Sequence, residues 1–169
     1  MAVLNPLHLL EQARSLVRLN PGRKPRQIEL RRAISAAYYA VFHQLSIAAA
    51  DEFLGATLRS DPRYALIYRS IDHGQVRRLC EDAAKSNPPP KYARYLQVRP
   101  FTSGIKNFAN ALAVLQSRQH EADYDPSISL GSVDALYAID LAERAIAAFN
   151  AAPHDERKLF LTFLLFPPR

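Results

Sequence analysis

Three short segments of this sequence carry the side chains best suited to acid–base or phosphate chemistry. The first is Tyr38-Tyr39-Ala40-Val41-Phe42-His43. Tyr39 and His43 are four apart, so on a helix their phenol and imidazole share a face. The plainer reading is a packed aromatic cluster with one satisfied polar edge. The second is Arg69-Ser70-Ile71-Asp72-His73-Gly74, where Arg69 and His73 are also four apart. On a continuous helix they would form a metal-free phosphodiester site, with imidazole moving protons and guanidinium stabilising phosphate charge. The alternative is a helix end, with His73 favourable near the C-terminal dipole and Gly74 as a left-handed cap. The third is Arg118-Gln119-His120-Glu121-Ala122-Asp123-Tyr124-Asp125-Pro126. Arg118 and His120 point to nearly opposite sides of a helix and converge only if it ends by His120. Otherwise the acids cap or brace a structural turn.

Other chemistries are excluded or disfavoured by what is missing. The glycines are scattered, with no phosphate loop and no dinucleotide fingerprint. There is no His-Glu-x-x-His and no paired Glu-x-x-His, and the single cysteine, Cys80, rules out a disulfide framework and a four-cysteine zinc site. No metal and no cofactor are expected. The longest apolar run, Leu159 to Phe166, is far short of the roughly 20 residues that span a bilayer. The opening Met1-Ala2-Val3-Leu4-Asn5-Pro6 lacks the basic start of a signal peptide, so a soluble, cytoplasmic protein is expected.

Charge is unevenly placed over the 169 residues, whose net charge is +6. Arg14, Arg18, Arg23, Lys24, Arg26, Arg31 and Arg32 stand against Glu29 alone, and residues 59–99 are also basic, whereas residues 119–169 are acidic. Most of the basic residues are arginine, the better side chain for bidentate phosphate contacts. The layout suits phosphate on one surface, a basic-to-acidic contact between protomers, or a merely solvated basic face.

The elements that must position these groups read as helical almost throughout. Pro6 suits a first turn, and Leu7, Leu10, Ala13 and Val17 follow at helical spacing before Asn20-Pro21-Gly22. A longer, central helix begins at Arg26 and carries Leu30, Ile34, Ala37, Val41, Leu45 and Ala48, with Gly55 as its stop. Asp61-Pro62 reads as a cap and first turn of a helix reaching about Ile71, and another spans about 75–85. Residues 86–100, with Pro88-Pro89-Pro90, read as one long loop starting in polyproline conformation. A helix over about 103–118 follows, then a turn-rich stretch over 123–131. The last long helix carries Val133, Leu136, Tyr137, Leu141, Ala145 and Phe149 as its apolar face, and residues 158–166 suit helix or strand equally. The expected fold is all-α: one domain over 1–169 with its core in about 26–150, an antiparallel bundle of four to five main helices with short extra ones.

The run Arg32-Ala33-Ile34-Ser35-Ala36-Ala37-Tyr38-Tyr39-Ala40-Val41-Phe42-His43 resembles the signature helix of HEPN domains, the higher eukaryotes and prokaryotes nucleotide-binding family. His73-Gly74, and Arg118 with Ala122-Asp123-Tyr124-Asp125-Pro126, follow in that family's order, and the resemblance covers about residues 26–150. It implies a helical bundle that forms a homodimer, associates with RNA or nucleotide, and works in toxin–antitoxin or phage-defence pairs, often beside a nucleotidyltransferase-type partner. Active members are metal-independent endoribonucleases with an arginine followed, after four to six residues, by a histidine. Here His43 follows Arg32 by eleven positions, His73 has three residues after Arg69 and nine after Arg63, and His120 has one after Arg118. His8 has no arginine before it, and His154 has nine residues after Arg144. No pair meets the spacing, so ribonuclease activity does not carry over.

The leading expectation is therefore RNA or nucleotide binding through Arg26, Arg31, Arg32, Tyr39, His43, Arg77, Arg78, Asp123 and Tyr124. One alternative is a divergent ribonuclease using Arg69 and His73 or Arg118 and His120. Another is a pure protein-interaction module, suggested by the apolar tail.

Overall fold

The computed structural model describes residues 4–18, 23–96 and 100–168. Among these, eight α-helices and one 3-10 turn are present and no strand. The helices are α1 (Pro6–Val17), α2 (Gln27–Leu54), α3 (Pro62–Ser70), α4 (His73–Ala83), α5 (Pro90–Leu96), α6 (Ser103–Tyr124), α7 (Ser132–Ala151) and α8 (His154–Leu165). The Asn20-Pro21-Gly22 stop lies outside the described residues. No described helix is long and apolar enough to cross a membrane.

The 28-residue α2 is about 42 Å long and forms the axis of the molecule, touching α1, α3, α6, α7 and α8. At its start the Glu29 carboxylate accepts the Arg26 backbone N–H at 2.7 Å, satisfying one of the orphan donors of a helix N-terminus. At its end Gly55 takes φ +95°, a conformation that a side chain strongly disfavours. Two polar pairs fix helix direction. Gln27 exchanges hydrogen bonds with the Leu130 backbone just before α7, and Gln44 reaches Asn150 at the far end of α7, so α2 and α7 run parallel. Ser35 early in α2 meets Asp123 late in α6, so those two run antiparallel.

The core is continuous from Leu10 of α1 to Leu164 of α8. α8 settles the ambiguity of the tail: it is helical, and Phe160, Leu161, Phe163 and Leu164 are buried within this chain. Phe160 packs edge-on to Phe101, Phe108 and Phe149, with ring centroids 5.9, 5.8 and 6.4 Å away.

Three expectations need correction. Residues 86–100 are not one loop, because Pro90 starts α5, whose buried Tyr92 packs 4.9 Å from the Phe163 ring. Proline is well suited to a first helical turn, so of the three consecutive prolines only Pro88 and Pro89 lie outside helix. α6 continues past Arg118 to Tyr124. Finally, the expected apolar face of α7 holds only in its second half: Ala145 and Phe149 are buried, but in the first half Ala135, Ala138 and Ala142 turn inward while Val133, Leu136 and Tyr137 are exposed. An alanine-lined face lets helices approach closely, and that close packing prevails over burying the larger side chains.

Candidate functional site

The site is built on the middle of α2, which presents Tyr38, Tyr39, Phe42 and His43 within two turns. Helix α3 is anchored to α2 by Tyr64, a fully buried residue whose hydroxyl donates to Asp51 Oδ1 at 2.9 Å. That anchor sets Tyr68, one turn on, against His43: the phenol and Nδ1 share a hydrogen bond of 2.5 Å and the rings stack 5.8 Å apart.

Between α3 and α4 only Ile71 and Asp72 are non-helical. Ile71 is extended (φ −78°, ψ 117°), and the Asp72 carboxylate caps α4 by accepting the Gln75 N–H at 2.9 Å. His73 is therefore the first residue of a helix, not the last. Both earlier readings of it are corrected: Arg69 and His73 lie on separate helices, and Gly74 lies inside α4 rather than capping a C-terminus. His73 stacks on Phe42 with centroids 3.9 Å apart and planes 14° from parallel. The Tyr38 hydroxyl shares a hydrogen bond of 2.6 Å with its Nδ1. The Gln116 amide of α6 donates to the His73 carbonyl at 3.2 Å, tying the new helix to the bundle.

The electrostatics of both dyads agree. Burial, with some effect from His73, holds the His43 pKa below the ordinary histidine value, and burial does the same to His73, partly opposed by Asp72. The opposite shift affects Tyr38 and Tyr68, whose phenols burial pushes upward and so keeps protonated. Neither hydroxyl has another hydrogen-bond partner among the described residues. Burial thus favours the neutral imidazole in both pairs. Tyr39 links the two, its ring 6.1 Å from each imidazole, stacked on His43 and edge-on to His73.

Beside this cluster a cavity of about 440 Å³ opens between α1 and α2. Leu9 and Leu16 form its apolar wall, and Arg32, Ser35, Tyr39, His43 and Asp123 its polar one. Asp123 is held from two sides, accepting from the Ser35 hydroxyl and the Gln119 amide. Tyr39 is kept protonated by burial first and then by the Asp123 charge. The result is a stacking surface with a guanidinium at one end and a fixed carboxylate acceptor beside it.

Of the sequence-assigned residues, Arg32, Tyr39, His43 and Asp123 line this cavity and His73 adjoins it. The others are placed elsewhere or engaged. Arg26 bonds Glu29, and Arg77 bonds Glu81 at 2.8 Å. Arg31 donates to the carbonyls of Ala122, Asp125 and Ile128 at 2.7, 2.9 and 2.7 Å, so it braces a turn instead of facing a ligand. Tyr124, 70% exposed, lines a different cavity with Arg31. Arg78 is exposed on α4 and Arg69 at the end of α3. Arg118 lies 3.7 Å from Glu121, whereas His120 packs 5.0 Å from the Tyr124 ring. Because α6 continues through them, Arg118 and His120 do not converge.

Sequence reasoning missed Tyr68, Ser35 and Gln119, and assigned Tyr38 to packing alone. Ser35 sits one turn before Tyr39 on the same face, a signal that was legible; Tyr68 and Gln119 become partners only through tertiary packing. No described group of three or more His, Cys, Asp or Glu could hold a metal. The chain matches no family model, no curated protein and no solved structure.

Proposed function

We propose that this chain binds RNA or a nucleotide at the α1–α2 cavity, as a HEPN-like member of a toxin–antitoxin or defence pair with a nucleotidyltransferase-type partner. The observation that carries the binding is the convergence of Arg32, Tyr39, His43 and Asp123 on one cavity. A nucleobase stacks on the Tyr39 and His43 rings, its exocyclic amine donates to Asp123, and Arg32 takes the phosphate. The resemblance of residues 32–43 to the HEPN signature helix supports the family setting, which the cavity by itself does not specify.

Titration of a fluorescent RNA oligonucleotide, in parallel with free nucleotides, tests the binding. Affinity is expected to fall as salt rises, since arginine neutralises phosphate. Tyr39→Ala is expected to weaken binding by about 1–3 kcal/mol, the usual worth of one base–aromatic stack. Arg32→Ala is expected to weaken it and flatten the salt dependence. Absence of affinity for RNA, DNA and nucleotides at low salt overturns the proposal. The same mixtures, held in EDTA and run on a gel, read the ribonuclease alternative: cleavage lost in His73→Ala favours it over simple binding.

A further inference from the structure

The carboxylate of Asp123, in the polar wall of the α1–α2 cavity, is held but not neutralised. Its Oδ1 accepts from the Ser35 hydroxyl and its Oδ2 from the Gln119 amide, one uncharged donor on each oxygen. Arg31 is committed to three backbone carbonyls and Arg118 to Glu121, and Arg32 shares the cavity wall without an ion pair to Asp123 among the described residues. A carboxylate offers about four acceptor positions, so two remain on Asp123, one per oxygen. They are reachable, since Asp123 is exposed and lines the cavity. Its charge also reaches the Tyr39 phenol, adding to burial in keeping that group protonated, so the acceptor lies beside the stacking surface.

Paired acceptors select among the bases by hydrogen-bond pattern. Guanine presents two adjacent donors on its Watson–Crick edge, N1–H and the 2-amine, which match the two oxygens of a carboxylate. Adenine offers its 6-amine beside N1, and cytosine its 4-amine beside N3, so each sets a ring-nitrogen lone pair against the second oxygen. Uracil has a single N3–H between two carbonyls. A charged acceptor pair thus gains two charge-assisted bonds with guanine; with every other base it gains one bond opposed by a repulsion. The cavity of about 440 Å³ lies within the range of small-molecule pockets, about 300–1,000 Å³. A purine also covers more of the Tyr39 and His43 rings than a pyrimidine does.

We infer that the α1–α2 cavity selects guanine, with Asp123 accepting N1–H and the 2-amine while the base stacks on Tyr39. This names the base for the nucleotide-binding reading and rests on it. A free guanine nucleotide and a guanosine within an RNA strand present the same edge, and Arg32 serves the phosphate of either.

Competition of 5′-monophosphates against a fluorescent RNA oligonucleotide tests it. GMP is expected to compete better than AMP, CMP and UMP by about 5- to 150-fold, the usual discrimination of one bidentate base contact. IMP, which keeps N1–H but lacks the 2-amine, is expected to fall between GMP and AMP. Uridine heptamers with and without one central guanosine distinguish the sources. A preference within the strand points to RNA, and a preference among monophosphates alone points to the free nucleotide. Asp123→Asn replaces one acceptor by a donor, a pattern that fits the N1–H and 2-carbonyl of xanthine, so XMP is expected to displace GMP as the favoured ligand. Helix content by circular dichroism is expected to stay at the wild-type level, because Asp123 is exposed near the end of α6. Three results overturn the base assignment while leaving nucleotide binding standing: no guanine preference among either monophosphates or heptamers, IMP equal to GMP, or an Asp123→Asn variant that still prefers GMP. Absence of binding by every RNA and nucleotide removes both.

Discussion

His43 and His73 are each paired with a tyrosine in surroundings that favour the neutral ring, and this makes the fold sensitive to acid. Burial disfavours the imidazolium, so both folded-state pKa values lie below the value of an unfolded histidine, near 6.5. As pH drops through that value the unfolded chain takes up protons that the folded chain refuses. Stability, fully present above that range, is therefore lost as pH falls through the unfolded pKa toward the folded values. His73 also lowers the pKa of His43, so charging one ring opposes charging the other. Urea denaturation midpoints are expected to fall between about pH 7.5 and 5.5, a window set by the histidine range, above most carboxylates. His43→Gln with His73→Gln is expected to flatten that dependence; an equally steep fall in the double variant would place the acid sensitivity elsewhere.

At the scale of the element, the helix punctuation was mostly legible and the helix faces less so. Asn5-Pro6 and Asp61-Pro62 are cap-and-proline starts, and in the structure Asn5 accepts the Leu7 N–H at 3.0 Å and Asp61 the Arg63 N–H at 2.8 Å. Gly55 ends α2 as its type suggests, and φ +95° with ψ 142° shows why a side chain is excluded. Gly55→Ala is expected to cost about 1–3 kcal/mol in chemical denaturation, the usual penalty for a residue forced into that region. A loss within error would mean that α2 can end in another conformation. The inward face of the first half of α7 was not legible, because alanine and the large aliphatic residues both count as apolar in a periodicity argument. Which of them turns inward depends on how closely the neighbouring helix comes. The break before His73 was obscured in a different way. Asp72 is a good N-cap, but Arg69 through Gly74 also reads as a helix finishing, and only packing distinguishes an end from a beginning.

Across the whole molecule, the net charge of +6 says less about ligands than the arginine count suggested. Much of the cationic excess is used internally. Arg14 pairs with Glu143, joining the basic N-terminal region to the acidic C-terminal one within a single chain. Arg59 holds Asp51, and Arg23 and Arg26 hold Glu29. Such partly exposed pairs are worth little individually, about 0–1 kcal/mol, but they remove those guanidinium groups from a free phosphate-binding surface. The candidate site retains Arg32, which a charge map of the sequence could not separate from its neighbour Arg31. One helical step apart, the two point in different directions, Arg32 lining the α1–α2 cavity and Arg31 bracing the turn beside a separate one.

That turn has a consequence in time as well as in space. Arg31 joins α2 to the α6–α7 connection by three hydrogen bonds to carbonyls, the nearest of them 91 residues away in the chain. A contact of such long sequence separation bears the entropy of closing the intervening segment, and it requires both helices to exist before it can form. The clamp is therefore expected to close late, after the transition state of folding. Arg31→Ala is expected to destabilise the protein by about 2 kcal/mol, the scale of hydrogen bonds to a charged group. Nearly all of that loss should appear as faster unfolding, with the folding limb of the chevron unchanged. A variant that folds more slowly and unfolds at the wild-type rate would instead place this long-range clamp in the folding nucleus.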